Sequence, residues 1–193
     1  MTWSLDLMDM DILAMLMGLD RALAAAILLT SFSLLAYVLT HNILSSDGRA
    51  FAALIAFVAI VYGGDVAVHN AASSADAAFW LRFQWLGIAF VPAAYLHLSH
   101  ALLRTVNSRS PGGRYAVIGA YMLGVGFLAL TIATDLVVWD GVYTAAAAHL
   151  RAGPLFWLFA VYFAGTTVLG AVNIGTARER AITRATRRRL TYL

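Results

Sequence analysis

The sequence of 193 residues is 62% hydrophobic and only 12% charged, with a mean hydropathy of +0.79. This composition lies outside the range of water-soluble domains and indicates an integral membrane protein. Cysteine is absent and every Lys+Arg residue is an arginine, which excludes disulfides, thiolate metal sites and the lysine Schiff base of a retinal protein.

Five apolar segments are long enough to cross a hydrocarbon core about 30 Å thick. The first 20 residues are acidic and lack the basic start of a cleaved signal peptide, so they predict a retained outer segment that suits a short surface helix. The sequence predicts one all-α domain over residues 1–193, a polytopic helical membrane bundle of five transmembrane helices. We place the spans near Arg21 to Leu39, Phe51 to His69, Phe79 to Leu103, Tyr115 to Val138 and Pro154 to Thr176.

The arginines mark one side of the predicted bundle. They concentrate at Arg49, in the loop 104–114 and in the segment 178–189, while the aspartates lie mostly at the other ends of the spans. The positive-inside rule then predicts an outside N-terminus and a cytoplasmic C-terminus, with residues 178–193 as a basic cytoplasmic tail. This tail suits the anionic lipids of a cell (inner) membrane, and no nucleic-acid partner is expected.

Ionisable side chains inside a span are costly and need a partner, a wet cavity or lipid headgroups. Asp65 and His69 share one helix face at the outer end of the second span. Two interpretations stay open: Arg82 forms an ion pair with Asp65 or Asp135 that holds helices together, or Arg82 and His69 bind an acidic or polar ligand in a shallow outer pocket. The aromatic walls of that pocket would come from Tyr62, Trp85 and Trp139.

Two further histidines lie deeper in the third span, toward its predicted cytoplasmic end. His97 and His100 occupy neighbouring positions of one helix face, and Ala93 leaves a small surface beside His97. A haem or bacteriochlorophyll bound by His97 alone is one interpretation, whereas a bis-histidine haem is disfavoured because His69 lies toward the opposite leaflet. The commoner arrangement is a hydrogen bond to a carbonyl or hydroxyl of another helix, with no cofactor. No metal site is predicted, because no carboxylate accompanies the pair.

Six glycines predict close helix packing in the last two spans, because small residues let helix backbones approach each other in lipid. Pro92 predicts a bend in the third span. The six are Gly119, Gly124 and Gly126 in the fourth span and Gly165, Gly170 and Gly175 in the fifth.

The stretch from Phe79 to Pro92 resembles the third helix of the seven-helix sensor region at the amino end of bacterial and archaeal histidine kinases. It has an aromatic pair, a glutamine, another aromatic and Leu-Gly, then a small apolar run into proline. Thr134 to Trp139 is similar to the end of the family's fourth helix, although Asp135 stands where the family usually has asparagine. Arg187 to Leu190 is similar to the basic loop before its sixth helix.

The resemblance covers most of residues 49–193 and implies a membrane-embedded sensory or signal-coupling domain that is not itself an enzyme. In the family, two more helices and a cytoplasmic output domain follow. Signalling output is therefore expected to come from a protein partner or from an output domain that this sequence does not include. The alternative is a structural or accessory subunit of a larger membrane complex, including a complex that carries pigment or haem. A transporter is disfavoured because no pair of broken helices recurs in two halves.

Overall fold

A computed structural model describes residues 3–106, 112–143 and 148–191 of the chain. Three of its helices, α3, α4 and α5, follow one another within a single span. The elements in chain order are α1 (Trp3–His41), α2 (Ser46–His69), α3 (Ser74–Phe83), α4 (Trp85–Ile88), α5 (Val91–Thr105), α6 (Gly113–Ala133), β1 (Val138–Tyr143), β2 (Ala148–Ala152) and α7 (Phe156–Thr191).

Five helical segments of the described chain are long and apolar enough to cross a membrane. This confirms the prediction of a multi-pass helical bundle with five spans. The helix α1 runs without interruption from Trp3, so the backbone of the predicted outer segment belongs to the first helix. The spans are Ala14–His41, Ser46–His69, Ser74–Thr105, Gly113–Ala133 and Phe156–Arg180.

The turns that separate the first three spans carry serine N-caps. Ser45 accepts a hydrogen bond from the backbone N–H of Gly48 at 3.0 Å and begins α2. Ser73 accepts one from the N–H of Asp76 at 3.1 Å and begins α3. A serine at this position satisfies a backbone N–H that the first helical turn leaves without a partner. These short capped turns keep α1, α2 and α3 antiparallel neighbours.

The third span is broken near its middle. α3 ends before Gln84, and Ala89 and Phe90 separate α4 from α5. Pro92 lies in the first turn of α5, where its missing N–H and fixed φ are tolerated, and it cannot continue the ladder from α4. The bend predicted at Pro92 is therefore present as a break just before it. The hydroxyl of Tyr162 on α7 donates to the carbonyl oxygen of Ala89 at 3.1 Å, which satisfies a backbone group at the break.

The predicted end of the fourth span at Val138 is wrong. α6 ends at Ala133, Thr134 is extended at φ −144° and ψ 166°, and Val138 begins a β-hairpin. The hairpin is antiparallel, with Val138 opposite Ala152 and a register shift between Trp139 and Gly141. The run from Val137 to Tyr143 is rich in β-branched and aromatic residues, which favour strands when the chain is outside a span.

The core lies where the broken third span meets α6, α7 and the start of the hairpin. Alanines occupy its tightest positions, since Ala89, Ala93 and Ala94 have no exposed surface. Around them pack side chains of α4, α5, α6, α7 and the start of the hairpin. The helix α5 contacts α2, α6 and α7 and is the central helix of the bundle. These core residues are Trp85, Leu96, Val117, Ala120, Val137, Val138, Phe159 and Tyr162.

Candidate ligand-binding site

A cavity of about 570 Å³ opens where α1, α2, the α2–α3 turn and the hairpin meet. We call it the hairpin cavity. Most of its polar side chains come from the last turn of α2, the facing turn of α1 and the hairpin. Its lining includes Asp20, Arg21, Asp65, His69, Ser73, Ser74, Tyr143 and His149.

His69 links α1 to α2 at the edge of the hairpin cavity. Its Nε2 lies 3.2 Å from Oδ2 of Asp20, and its Nδ1 lies 2.9 Å from the backbone oxygen of Asp65. Both ring nitrogens therefore face oxygen acceptors, and the nitrogen that carries the proton can donate to the acceptor that it faces. The sequence predicted that Asp65 and His69 share a face, and both side chains line this cavity.

Asp65 is half-buried and contacts the broken third span. The side chain of Gln84, at the junction of α3 and α4, lies close to this carboxylate, and both residues line the inner cavity described below. Gln84 crosses α2 at Gly64, where a Cβ would collide with the Gln84 side chain. The break in the third span and the absence of a side chain at Gly64 thus allow the Gln84 amide to lie close to the carboxylate of Asp65.

A second, inner cavity of about 300 Å³ lies beneath the hairpin. Asp65 and His149 line both cavities, so they stand between the two spaces. The inner cavity continues to Gln84, Trp85 and hydrophobic side chains of α4, the hairpin and α7. Its deeper wall is apolar, and its polar groups gather at the side of the hairpin cavity.

Arg82 and Asp135 form a separate contact on another side of the bundle. Nη2 of Arg82 lies 2.9 Å from Oδ1 of Asp135, and Nη1 donates to the backbone oxygen of Thr131 at 3.3 Å. Of the two carboxylates that the sequence left open for Arg82, the structure pairs it with Asp135. Neither residue lines the hairpin cavity or the inner cavity, so Arg82 and His69 do not converge on one pocket.

We expect the Arg82–Asp135 pair to add little to stability. The two side chains are 38% and 69% exposed, and exposed ion pairs contribute about 0 to 1 kcal/mol. A double-mutant cycle with Arg82→Gln and Asp135→Asn, measured by chemical unfolding in detergent, should give a coupling free energy in that range. A coupling free energy above about 2 kcal/mol would show that the pair is desolvated and holds α3 against the end of α6.

The tryptophans predicted as pocket walls have other partners. Trp139 donates its indole N–H to the backbone oxygen of Ala152 at 3.2 Å, and the Arg151 guanidinium lies 5.5 Å from its ring centroid. Trp85 is 5% exposed, packs on Phe159 at 4.9 Å between ring centroids and reaches only the inner cavity. The aromatic side chain that does line the hairpin cavity is Tyr143 of β1.

Sequence reasoning did not select several lining residues. Asp20 and Arg21 form a charged pair inside a long apolar helix, which is a signal that could have identified them. Gln84 stands in an apolar span and carries a similar signal. Tyr143 and His149 are brought to the cavity by the hairpin, which was not predicted, so no local pattern pointed to them.

The deeper histidines lie at the other end of the bundle. Nδ1 of His97 is 3.4 Å from the Tyr121 hydroxyl on α6. His69 lies beside Asp20 in the hairpin cavity and therefore does not face His97 across the bundle. The imidazole of His97 has a hydroxyl partner on another helix, which is the arrangement expected without a macrocycle.

The chain was also compared with known proteins. A family model described as the N-terminal 7TM region of histidine kinase matches residues 23–192. The match includes the second half of α1, all of α2 to α7 and the hairpin, and it begins just after Asp20 and Arg21 of the hairpin cavity. Comparison with curated proteins and with solved structures found no match.

Proposed function

This chain belongs to the family of N-terminal seven-transmembrane regions of histidine kinases, and from that membership we infer that it is a membrane-embedded sensory domain. We propose that the hairpin cavity is its ligand-binding site. The observation that carries the proposal is that four separate elements meet at this cavity, with Asp65 and His69 of a membrane-spanning helix in its wall. A concave site between elements with a few converging polar groups is the usual form of a small-molecule site.

The charges of the lining favour a ligand that carries a protonated amine. Asp20 and Asp65 contribute two carboxylates, whereas Arg21 contributes the single guanidinium. The sequence-based hypothesis of an acidic ligand depended on Arg82, whose guanidinium is bound to Asp135 outside the cavity. A cationic or zwitterionic small molecule therefore suits the hairpin cavity better than a dicarboxylate.

Ligand binding in this cavity would act on contacts that join three spans. His69 ties α2 to Asp20 of α1, and Asp65 lies close to Gln84 of the broken third span. An amine that bonds to either carboxylate competes with these internal partners. It shifts the packing of the helices only if it binds one arrangement better than the other. The break before Pro92 is the element in which two arrangements are most readily accommodated.

The chain supplies sensing and not catalysis in this proposal. The seven-helix sensor region of histidine kinases is a non-catalytic domain of those proteins. Output would come from a kinase or other catalytic domain, fused to this region or acting as its partner. The lipid bilayer of the inner membrane would be its solvent, with the hairpin cavity on the outer side.

The test of the binding site is a comparison of two Asp→Asn variants on the same helix. A panel of primary amines, amino acids and dicarboxylates is titrated by calorimetry into the protein in detergent. Asp65→Asn should weaken binding of the best amine about tenfold or more, the effect of losing one charge-assisted hydrogen bond. Asp47→Asn, at the other end of α2, is the control and should bind as the wild type does.

The outcomes separate the parts of the proposal. Equal binding by Asp65→Asn and Asp47→Asn would remove the site from the hairpin cavity. Tighter binding of dicarboxylates than of amines would overturn the ligand class. Thermal unfolding of both variants without ligand shows whether a loss reflects the site or the fold.

The orientation of the bundle is a prediction of the positive-inside rule and can be tested by labelling. The natural chain has no cysteine, so Ser74→Cys and Ser46→Cys each introduce a single thiol at an exposed position. A membrane-impermeant maleimide should label Ser74→Cys in intact cells and Ser46→Cys only after permeabilisation. The reverse pattern would place the hairpin cavity in the cytoplasm.

A structural or accessory subunit is the second candidate, and one observation favours it. A Cβ on any of four glycines of α6 and α7 would meet nothing within 4 Å, so the described part of the chain does not cover these small-residue faces. Further helices of another protein would fit there. A Soret or near-infrared absorption band that is lost in His97→Ala would support the pigment-associated form of this candidate, and a colourless preparation would remove it. The four are Gly119, Gly126, Gly165 and Gly175.

A further inference from the structure

A third cavity, of about 390 Å³, lies between α5 and α6 at the end of the bundle opposite the hairpin. We call it the arginine cavity. The last turns of α5, from His97 onward, and the first turns of α6 form its walls. The cavity shares no residue with the hairpin cavity or the inner cavity. Its lining residues are His97, His100, Arg104, Arg114, Val117, Ile118 and Tyr121.

Two arginine side chains stand at the mouth of this cavity, and the described residues give them no carboxylate partner. Arg104 and Arg114 are both exposed, and neither forms an ion pair with a carboxylate within the described residues. No carboxylate is part of the lining. Guanidiniums donate well to phosphate oxygens, so two of them at adjacent helix ends of one cavity suit a phosphate group.

A buried imidazole nitrogen lies beneath these arginines. Nδ1 of His100 is inaccessible to solvent and has no hydrogen-bond partner in the described part of the chain. Buried polar atoms are almost always paired, so an unpaired one calls for a partner that the described residues do not supply. The His100 ring packs on the backbone of Gly113 at the start of α6. This close contact requires glycine, because a Cβ there would collide with the ring. Nδ1 of the neighbouring His97 already contacts the Tyr121 hydroxyl.

The cavity changes from charged to apolar along its length. Seven residues separate His97 from Arg104, which is about 10 Å of helix. The arginines therefore stand near the end of the span, while Val117 and Ile118 line a deeper wall. Ile118 is 47% exposed, so this wall opens sideways, toward the surroundings of the bundle. A ligand that fits both parts has an anionic head and an apolar body.

We propose that the arginine cavity binds the phosphate of an anionic phospholipid, with Arg104 and Arg114 as its ligands and the His100 ring in the wall beside them. The glycerol and the first carbons of an acyl chain lie against Val117 and Ile118. The chemistry that these donors recognise is a phosphate oxygen, which free inorganic phosphate also carries. The apolar wall at Ile118 favours the lipid as its source. This inference does not depend on the ligand of the hairpin cavity.

Native mass spectrometry of the full chain in detergent tests the proposal. Phosphatidylglycerol and phosphatidylcholine are added in parallel, and inorganic phosphate is titrated separately. Arg104→Gln and Arg114→Gln should each lower retention of phosphatidylglycerol about tenfold, the effect of one lost charge-assisted hydrogen bond. The control Arg178→Gln removes the same charge from α7 at the same end of the bundle and should leave retention unchanged.

A second variant distinguishes the two sources of phosphate. Ile118→Trp fills the apolar wall and leaves both arginines in place, so it should lower binding of phosphatidylglycerol and not that of inorganic phosphate. Wild-type protein that holds inorganic phosphate as tightly as the lipid, or an equal loss in Arg178→Gln, would overturn the lipid assignment. So would retention of phosphatidylcholine equal to that of phosphatidylglycerol. Circular dichroism shows whether each variant is folded, and Ile118→Trp keeps the test decisive if an arginine variant is not.

Discussion

Gly87→Ala is expected to be among the most destabilising single-methyl additions to this chain. A Cβ at Gly87 would lie 2.5 Å from the backbone oxygen of Phe57, 2.6 Å from a methyl of Val61 and 3.1 Å from the Val61 nitrogen. Two of these atoms belong to the backbone of α2, so no side-chain rotation relieves the clash. Overpacking of this kind costs about 1 to 3 kcal/mol. The measurement is the loss of helical circular dichroism on heating in detergent.

Gly119→Ala is the matched control, since a Cβ there would meet nothing within 4 Å. It should be neutral or slightly stabilising, because alanine is a better helix former than glycine by about 1 kcal/mol in a helix interior. If both variants lost the same stability, the close approach of α4 to α2 would be wrong. The result also bears on signalling, because α4 is the middle piece of the broken third span.

The contrast between these glycines shows how far composition predicts packing. Among the six glycines predicted to allow close approach, Gly124 lies against the Ala89 carbonyl, with its Cβ position 2.9 Å from the oxygen. Gly170 lies against the ring of Tyr95, at 2.5 Å. Four others face outward. A glycine count gives the potential for close packing, whereas the rotation of each helix decides which glycine uses it, and that rotation is set by tertiary contacts.

The spans were predictable because lipid imposes a strong local constraint, a charge-free apolar run of sufficient length. The residues at which the spans end were less predictable. Val137 and Val138 are as apolar as the end of α6, and hydropathy alone continues the helix through them. The structure ends α6 at Ala133 and turns the run into β1, because alternation and β-branched residues matter once the chain has left the span.

The candidate site was predictable only where it is local. Asp65 and His69 share a helix face by spacing alone, and the structure places both in the wall of the hairpin cavity. Asp20 and His149 come from elements far away in sequence, and no spacing rule relates them to His69. Arg82 had two open interpretations, an ion pair with Asp65 or Asp135 and a place in the ligand pocket, because the sequence gives its end of the span but not its direction around the helix.

Tyr162→Phe is expected to loosen the junction of α4, α5, α6 and α7. The hydroxyl lies 3.1 Å from the Ala89 oxygen and 3.1 Å from the Ala120 oxygen, and the residue is 7% exposed. A hydroxyl has one proton, so it shares that donor between two carbonyls. Phenylalanine keeps the ring packing and removes the donor, which leaves the Ala89 carbonyl at the break without this partner.

The expected loss is about 1 to 2 kcal/mol, the cost of an unpaired buried carbonyl moderated by the small net value of hydrogen bonds in lipid. Thermal unfolding in detergent measures it, with Tyr115→Phe as the control because Tyr115 is 78% exposed. An unchanged midpoint of thermal unfolding would mean that another donor pairs with the Ala89 carbonyl in the variant. Because the same broken span carries Gln84 to Asp65, a loosened break should also alter amine binding in the hairpin cavity. A Tyr162→Phe variant with lower stability and unaltered amine affinity would show that the break and the cavity are independent.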